Sequence, residues 1–258
     1  METILFQKNN HVAYITLNRP NALNALNYQM LTELMTIVNQ IHLDHEIRAV
    51  IITGAGDKAF SSGADLRERK SLSEQEVRRN VKAIRDCFER IANLPQPTIA
   101  AINGYCFGGG FELMLACDFA IAAHEVKMGL TETSWAIIPG AGGTQRLPRL
   151  IGEMRAKELI LTARKITADE AKELGILLKV VSKDSLLDEC NKLANRMLQN
   201  GPIAVTQAKY AITVGMNTDL KTGFDIEAKA YEHTIPTEDR IEALQAFSEK
   251  RTPKFQGK

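Results

Sequence analysis

No stretch of the 258-residue chain approaches the roughly eighteen consecutive apolar residues needed to cross a membrane. The first residues show no signal-peptide pattern. The expectation is a cytoplasmic protein without membrane insertion. An excess of charge is also missing. The 32 basic and 31 acidic side chains leave a formal +1, which disfavours a broad cationic surface for nucleic acid. The four cysteines, Cys87, Cys106, Cys117 and Cys190, form no C-x-x-C pair. Each sits among apolar or helical residues and reads as a buried thiol. His42 and His45 have helical spacing but no cysteine nearby, so a solvated helix end is expected there and no metal. The G-x-G-x-x-G fingerprint in its strand–turn–helix context, the P-loop and the G-x-S-x-G elbow are all lacking. Ser61-Ser62 is read as loop, and a nucleotide loop at Gly140–Gly143 is disfavoured.

What remains is an ordinary globular composition, 45% hydrophobic and 24% charged. The length suits one domain, or one large domain with a small appendage. Residues 3–7 and 12–17 read as a hairpin about Asn9-Asn10. Asn27 is placed to cap a helix whose apolar stripe is Met30, Leu31, Leu34, Met35, Val38 and Ile41. Buried strands are expected at 49–53, 98–102, 118–123 and 176–181. Helices are expected at 73–93, with Val77, Val81, Ile84, Phe88 and Ile91 on one side, and directly after Gly108-Gly109-Gly110. Further helices are expected near 144–149, at 151–161 and from Thr167 to Leu174, the last with Glu170 completing a capping box. The stretch 59–66 reads as a small-residue loop. After residue 184 only helices follow, at 184–199, 202–215, about 219–233 and 236–250. The recurrence of strand and helix predicts an α/β layer.

Two glycine-rich segments, Gly63-Ala64-Asp65 and Gly108-Gly109-Gly110, stand where free backbone N–H groups attract an anion or a developing oxyanion. Tight turns and close helix–sheet packing would also explain them. Two acids have apolar surroundings, Glu112 and Glu132. A shared pocket would raise at least one of their pKa values, and such a pair can activate water and deliver a proton to carbon. A buried salt bridge for Glu112 and a turn cap for Glu132 are the plainer alternatives.

Three longer segments carry a resemblance. They are Ala59 to Leu66 (AFSSGADL), Asn103 to Leu113 (NGYCFGGGFEL) and Ile138 to Leu147 (IPGAGGTQRL). With Leu17-Asn18-Arg19-Pro20 and Phe247–Arg251 they follow one another as in the enoyl-CoA hydratase (crotonase) family, which the chain resembles over its whole length. Residues 64–69 and 127–133 most resemble the branch containing methylglutaconyl-CoA hydratase.

The resemblance implies a crotonase-like (ClpP/crotonase) α/β fold, a spiral of ββα units making two roughly perpendicular sheets. It implies a core over residues 1–195 and a helical trimerisation region over 196–258, giving a homotrimer or a hexamer of two trimers. It implies an enoyl-CoA hydratase, a lyase of the kind used in fatty-acid β-oxidation. Glu112 and Glu132 would be the catalytic pair, and the backbone N–H groups of Ala64 and Gly109 the oxyanion hole. Gly63 and Asp65 would lie along the CoA, Lys250 near its phosphates from a neighbouring subunit, Tyr231 along the channel and Trp135 at the acyl pocket. Solvated or packing roles are the alternatives for Lys250, Tyr231 and Trp135. No cofactor is implied beyond the CoA of the substrate, and no metal. The sister readings are methylglutaconyl-CoA hydration and enoyl-CoA isomerisation; isomerases typically keep one of the two glutamates. RNA binding, which animal methylglutaconyl-CoA hydratases carry on a lysine-rich helix, is disfavoured because residues 27–41 hold no lysine or arginine. A degenerate scaffold is the remaining non-enzyme reading.

Overall fold

The computed structural model describes residues 1–258. The chain opens with β1 (Ile4–Asn9) and β2 (Val12–Leu17), an antiparallel pair with Ile4 opposite Leu17. Asn10 takes the left-handed conformation in the turn (φ 53°), a position asparagine tolerates. In α1 (Tyr28–Leu43) the Asn27 side chain accepts from Met30 N at 3.0 Å, filling one orphan donor. Next come β3 (Ala49–Gly54), β4 (Ala59–Ser61), α2 (Leu66–Lys70) and α3 (Glu74–Ala92). Then follow β5 (Thr98–Ile102), β6 (Tyr105–Phe107), α4 (Gly109–Ala116), β7 (Phe119–Ala123) and β8 (Lys127–Gly129).

The remainder holds α5 (Gly143–Ile151), α6 (Glu153–Leu161), β9 (Ile166–Thr167), α7 (Ala168–Glu173) and β10 (Lys179–Val181). The helices α8 (Leu186–Leu198), α9 (Pro202–Gly215), α10 (Leu220–Glu232) and α11 (Glu238–Glu249) complete the chain. No helix is long and apolar enough to cross a membrane.

Two sheets result. The larger has the order β1-β2-β3-β5-β7-β10 and is parallel from β2 onward. The smaller has the order β4-β6-β8-β9. Each turn of the chain lays one longer strand in the first sheet and a three-residue strand in the second, then a helix. That is the spiral of ββα units implied by the resemblance.

The strands of the larger sheet read as unbroken apolar runs because both faces are covered. Val50 and Ile52 face a 44-residue core shared with α1, α3 and α4. Ala49 and Ile51 face the other way, under Leu186, Cys190 and Ala194 of α8. The three helices after α8 leave Met216, Leu220, Phe224, Leu244 and Phe247 exposed.

Several expectations need correction. Residues 59–66 are not a plain loop: they hold β4 and the start of α2. A three-residue strand is too short to show alternation, and its hydrogen-bond partner β6 is equally short. The helix expected from 151 begins at Glu153, because Gly152 (φ +86°) ends α5 at Ile151. The strand expected over 176–181 covers only 179–181. Ile176 N and Leu177 N instead donate to Ala171 O, closing α7. Thr167 does cap Glu170 N at 3.2 Å, but the Glu170 carboxylate pairs with Arg164 at 2.7 Å rather than completing the box. Along α3, Ile84, Phe88 and Ile91 are buried as expected, whereas Val77 and Val81 are only half-buried and face a cleft.

Candidate active site

The cleft encloses about 1640 Å³ and is bordered by Gly63, Ala64, Gly109, Glu112, Glu132 and Trp135. Its first chemical feature is a pair of main-chain amides. The segment after β4 lies parallel to Leu26: Leu26 N donates to Gly63 O at 2.8 Å, and Asp65 N to Leu26 O at 3.0 Å. Peptide groups alternate in extended chain, so the intervening Ala64 N–H points to the opposite side. It has no acceptor within the chain. Gly109 N is the first amide of α4, where no carbonyl stands one turn back. A Cβ built on Gly109 would lie 3.6 Å from Ala64 N, so the two donors are neighbours.

Glycine is required for this approach. Gly63 has φ +93°, and a Cβ there would meet Phe107 O at 2.9 Å and Gly109 N at 3.0 Å. Gly108 also has positive φ (+52°), and its N–H is tied to Gly129 O at 3.0 Å.

The second feature is a pair of carboxyl groups. Glu112 stands on α4, one turn beyond Gly109, and is 3% exposed. Its Oε1 accepts from Ala141 N and Gly143 N, both at 2.8 Å. These amides belong to the turn that starts α5, so a helix N-terminus serves a carboxylate of the same chain. The Glu112 pKa is raised: burial outweighs the two amide bonds and the nearby Arg146 charge.

Glu132 begins a single 3-10 turn ending at Trp135. Its carboxyl abuts Gly108, with Oε1 3.4 Å from where a Cβ on that glycine would be. Its Oε2 is buried and has no hydrogen-bond partner. Burial first, and the Glu112 charge second, push its pKa up to about 7. Burial thus raises both carboxyls, Glu112 against the pull of its two amide donors and Glu132 with the added repulsion of the Glu112 charge.

The other expected site residues are placed differently. Trp135 borders the cleft and is 64% exposed. Asp65 does not line it. Its carboxylate takes Arg19 Nη1 at 2.8 Å and caps α2 through Arg67 N and Glu68 N. Burial pushes the Asp65 pKa up, but the Arg19 and amide bonds prevail and hold it below the usual range. It shapes the loop that presents Ala64. Tyr231 and Lys250, both exposed on the C-terminal helices, lie outside the cleft of their own chain.

Arg146 was missed by sequence reasoning. It lines the cleft half-buried, and its Nη1 donates to Ala141 O at 3.0 Å, bracing the turn that holds Glu112. The signal was present in Gly140-x-Gly142-Gly143 before a helix. It reads as an anion site whose anion is the chain's own glutamate.

This arrangement can hold a thioester-type oxygen between two N–H donors while two carboxyls stand over the adjoining carbons. Comparison with known proteins agrees. The profile of the family "Enoyl-CoA hydratase/isomerase" matches residues 7–258. The mitochondrial methylglutaconyl-CoA hydratase of Homo sapiens is 45% identical over 257 residues, spanning 98% of this chain and 76% of that protein. The short-chain-enoyl-CoA hydratase of Clostridium acetobutylicum is 42% identical over 251 residues, spanning 97% of this chain and 96% of the other. The crystal structure of enoyl-CoA hydratase from Bacillus anthracis is 53% identical, with a TM-score of 0.97 over 99% of this chain and all of that one. From fold, amide pair and sequence together, the chain belongs to the enoyl-CoA hydratase/isomerase family of enzymes.

Proposed function

We propose that the protein adds water across the 2,3 double bond of a 2-enoyl-CoA to give the 3-hydroxyacyl-CoA. The observation that carries this reading is the convergence of Glu112 and Glu132 on one cleft beside the Ala64 and Gly109 amides. A water oxygen bonds to C3 as Glu112 takes one of its protons. The π electrons move to the thioester oxygen, where the two amides stabilise the enolate more than the ground state. Glu132 then gives its proton to C2. The C2–C3 π bond is lost, one C–O and one C–H bond form, and solvent exchange resets the two carboxyls. The unpartnered Glu132 Oε2 leaves an atom free for this transfer. Two carboxyls, rather than one, favour hydration over isomerisation.

The CoA enters as part of the substrate, and the chain's own residues supply the remaining chemistry. Gly63 and Trp135 border the bound thioester. Tyr231 and Lys250 reach the CoA of a neighbouring copy, in a trimer or hexamer assembled through residues 196–258, in the cytoplasm.

The test is hydration of crotonyl-CoA, followed by loss of the conjugated thioester's ultraviolet absorbance. Wild type turns it over, and E112Q and E132Q each lose about 10²–10⁴ in kcat. Binding of butyryl-CoA, which has no double bond to hydrate, stays within about threefold in both variants, because the amide grip is untouched. No hydration by wild type, or either variant at the wild-type rate, overturns the reading.

A further inference from the structure

The opening turn of α5 carries a charge that its own helix disfavours. A helix N-terminus attracts anions and repels cations. The first turn of α5 holds no acid, yet Arg146 stands there half-buried. Burial also weighs against the guanidinium and lowers its pKa, in spite of the opposing influence of Glu89 on α3, Glu112 on α4 and Cys117 just past α4. In return Arg146 makes one side-chain hydrogen bond within the chain, to Ala141 O. Helix stability alone would favour an acid or a small polar residue in this turn.

That one bond falls between the two donors that fix Glu112. Oε1 of Glu112 accepts from Ala141 N and Gly143 N, which belong to the peptides 140–141 and 142–143. The peptide between them presents the Ala141 carbonyl, and Arg146 Nη1 donates to it at 3.0 Å. The guanidinium has room because residue 142 is glycine: a Cβ there would collide with Nη1 and lie 3.0 Å from Cζ. Gly142 has φ +112°, and its O accepts from Arg146 N at 2.7 Å. Main chain and side chain of Arg146 thus clamp the same turn. Both bonds to Glu112 fall on Oε1, so Oε2 remains for the water.

We propose that Arg146 is a positioning residue for the hydration: it locks the 140–143 turn in the form that fixes Glu112, and its charge keeps that carboxyl the anion that takes the water proton. The proposal rests on the hydratase reading and adds a residue to it. Arg146 acts through Glu112, not on the substrate. The nearby charges are Glu132 on the turn after β8, Arg85 and Glu89 on α3, and Asp118, which is paired with Lys209 at 2.6 Å. Arg146 is the one cation that favours the Glu112 anion. Without it Glu112 takes a proton at higher pH.

The variants R146M, R146Q and R146K, assayed on crotonyl-CoA across pH, make the test. In R146M kcat falls about 10²-fold, the cost of a catalytic group displaced by about 1 Å. Binding of butyryl-CoA stays within about threefold. The acid limb of kcat/KM, where Glu112 gains a proton, moves to higher pH, while the limb near pH 7 belongs to Glu132 and stays. R146Q shows the same shift of the acid limb and carries the test should R146M not fold. R146K keeps the charge without the planar fork, so it restores the acid limb and only part of kcat. In an E112Q background R146M costs less than about twofold more, because the route through Glu112 is already closed. Wild-type kcat in R146M or R146Q overturns the proposal. A lowered kcat with an unmoved acid limb does so too, as does an undiminished further loss on top of E112Q. Loss of butyryl-CoA binding at unchanged kcat makes Arg146 a substrate contact and also overturns it. In each of these cases hydration by wild type leaves the hydratase reading standing. No hydration by wild type removes the reading beneath.

Discussion

At the scale of single residues, Glu132 sets the pH behaviour. Its pKa is raised to about 7, and the proposed hydration step uses its protonated form. The kcat/KM for hydration therefore falls as pH rises through about 7, close to tenfold per unit beyond it, and that for dehydration of the 3-hydroxyacyl thioester falls in parallel, because both directions need one proton on the carboxyl pair. A pH series in both directions checks this. Glu112 contributes the second of the two raising effects, so E112Q lowers the Glu132 titration midpoint. Infrared difference spectra of the carboxyl band read that shift without needing activity. The same raised pKa governs stability. The folded chain holds a proton that the unfolded chain releases, so this contribution is present below about pH 4.5 and is lost as pH rises through about 7.

Gly63 presents a different case. Alanine there meets Phe107 O and Gly109 N at about 3 Å and must adopt φ +93°. G63A is expected to spread the amide pair and reduce kcat by about 10²–10³, the effect of losing one such donor, while E112Q and E132Q leave the donors in place. Steady-state kinetics on crotonyl-CoA separates the two kinds of damage.

At the scale of elements, the start of α5 and the start of α3 carry the next expectations. Gly143 opens α5, and a Cβ there would lie 2.9 Å from Leu130 Cδ1 and 3.1 Å from Glu112 Oε1. G143A displaces the carboxylate that α5 is built to hold, so kcat falls more than KM changes. Ser73 forms a capping box with Glu76 at the start of α3. S73A removes about 1 kcal/mol of stability, measured by urea unfolding.

These elements also show how far the sequence could be read. The capped, periodic helices α1 and α3 were legible because a stripe of buried residues repeats over several turns. The strands β4, β6 and β8 were not, since three residues cannot display a period of two and their pairing is wholly long-range. Val77 and Val81 looked like core because an apolar cleft wall and an apolar core have the same composition. Glu112 and Glu132 stood out as acids in apolar company. The amides that hold Glu112 come from residues 29 and 31 positions away, and no local pattern encodes that distance. The placement of Tyr231 and Lys250 is a question between copies, which one chain's periodicity does not address.

At the scale of the whole molecule, α9–α11 leave large apolar side chains in water, Phe247 at 87% and Met216 at 80% exposure. A face of this kind marks an association surface. Sedimentation equilibrium is expected to give a trimer or a hexamer. Replacing Phe224 and Phe247 together by serine shifts the population toward monomer.

The same fold settles what inheritance can and cannot alter. In the proposed reaction the grip on the thioester oxygen comes from peptide N–H groups, which every residue type except proline possesses. Mutation can exchange the side chains around it, and so redirect the reaction or the choice of acyl tail, without deleting the grip. A lineage built on this spiral is therefore free to diversify its catalysis while its electrophile-holding apparatus stays constant.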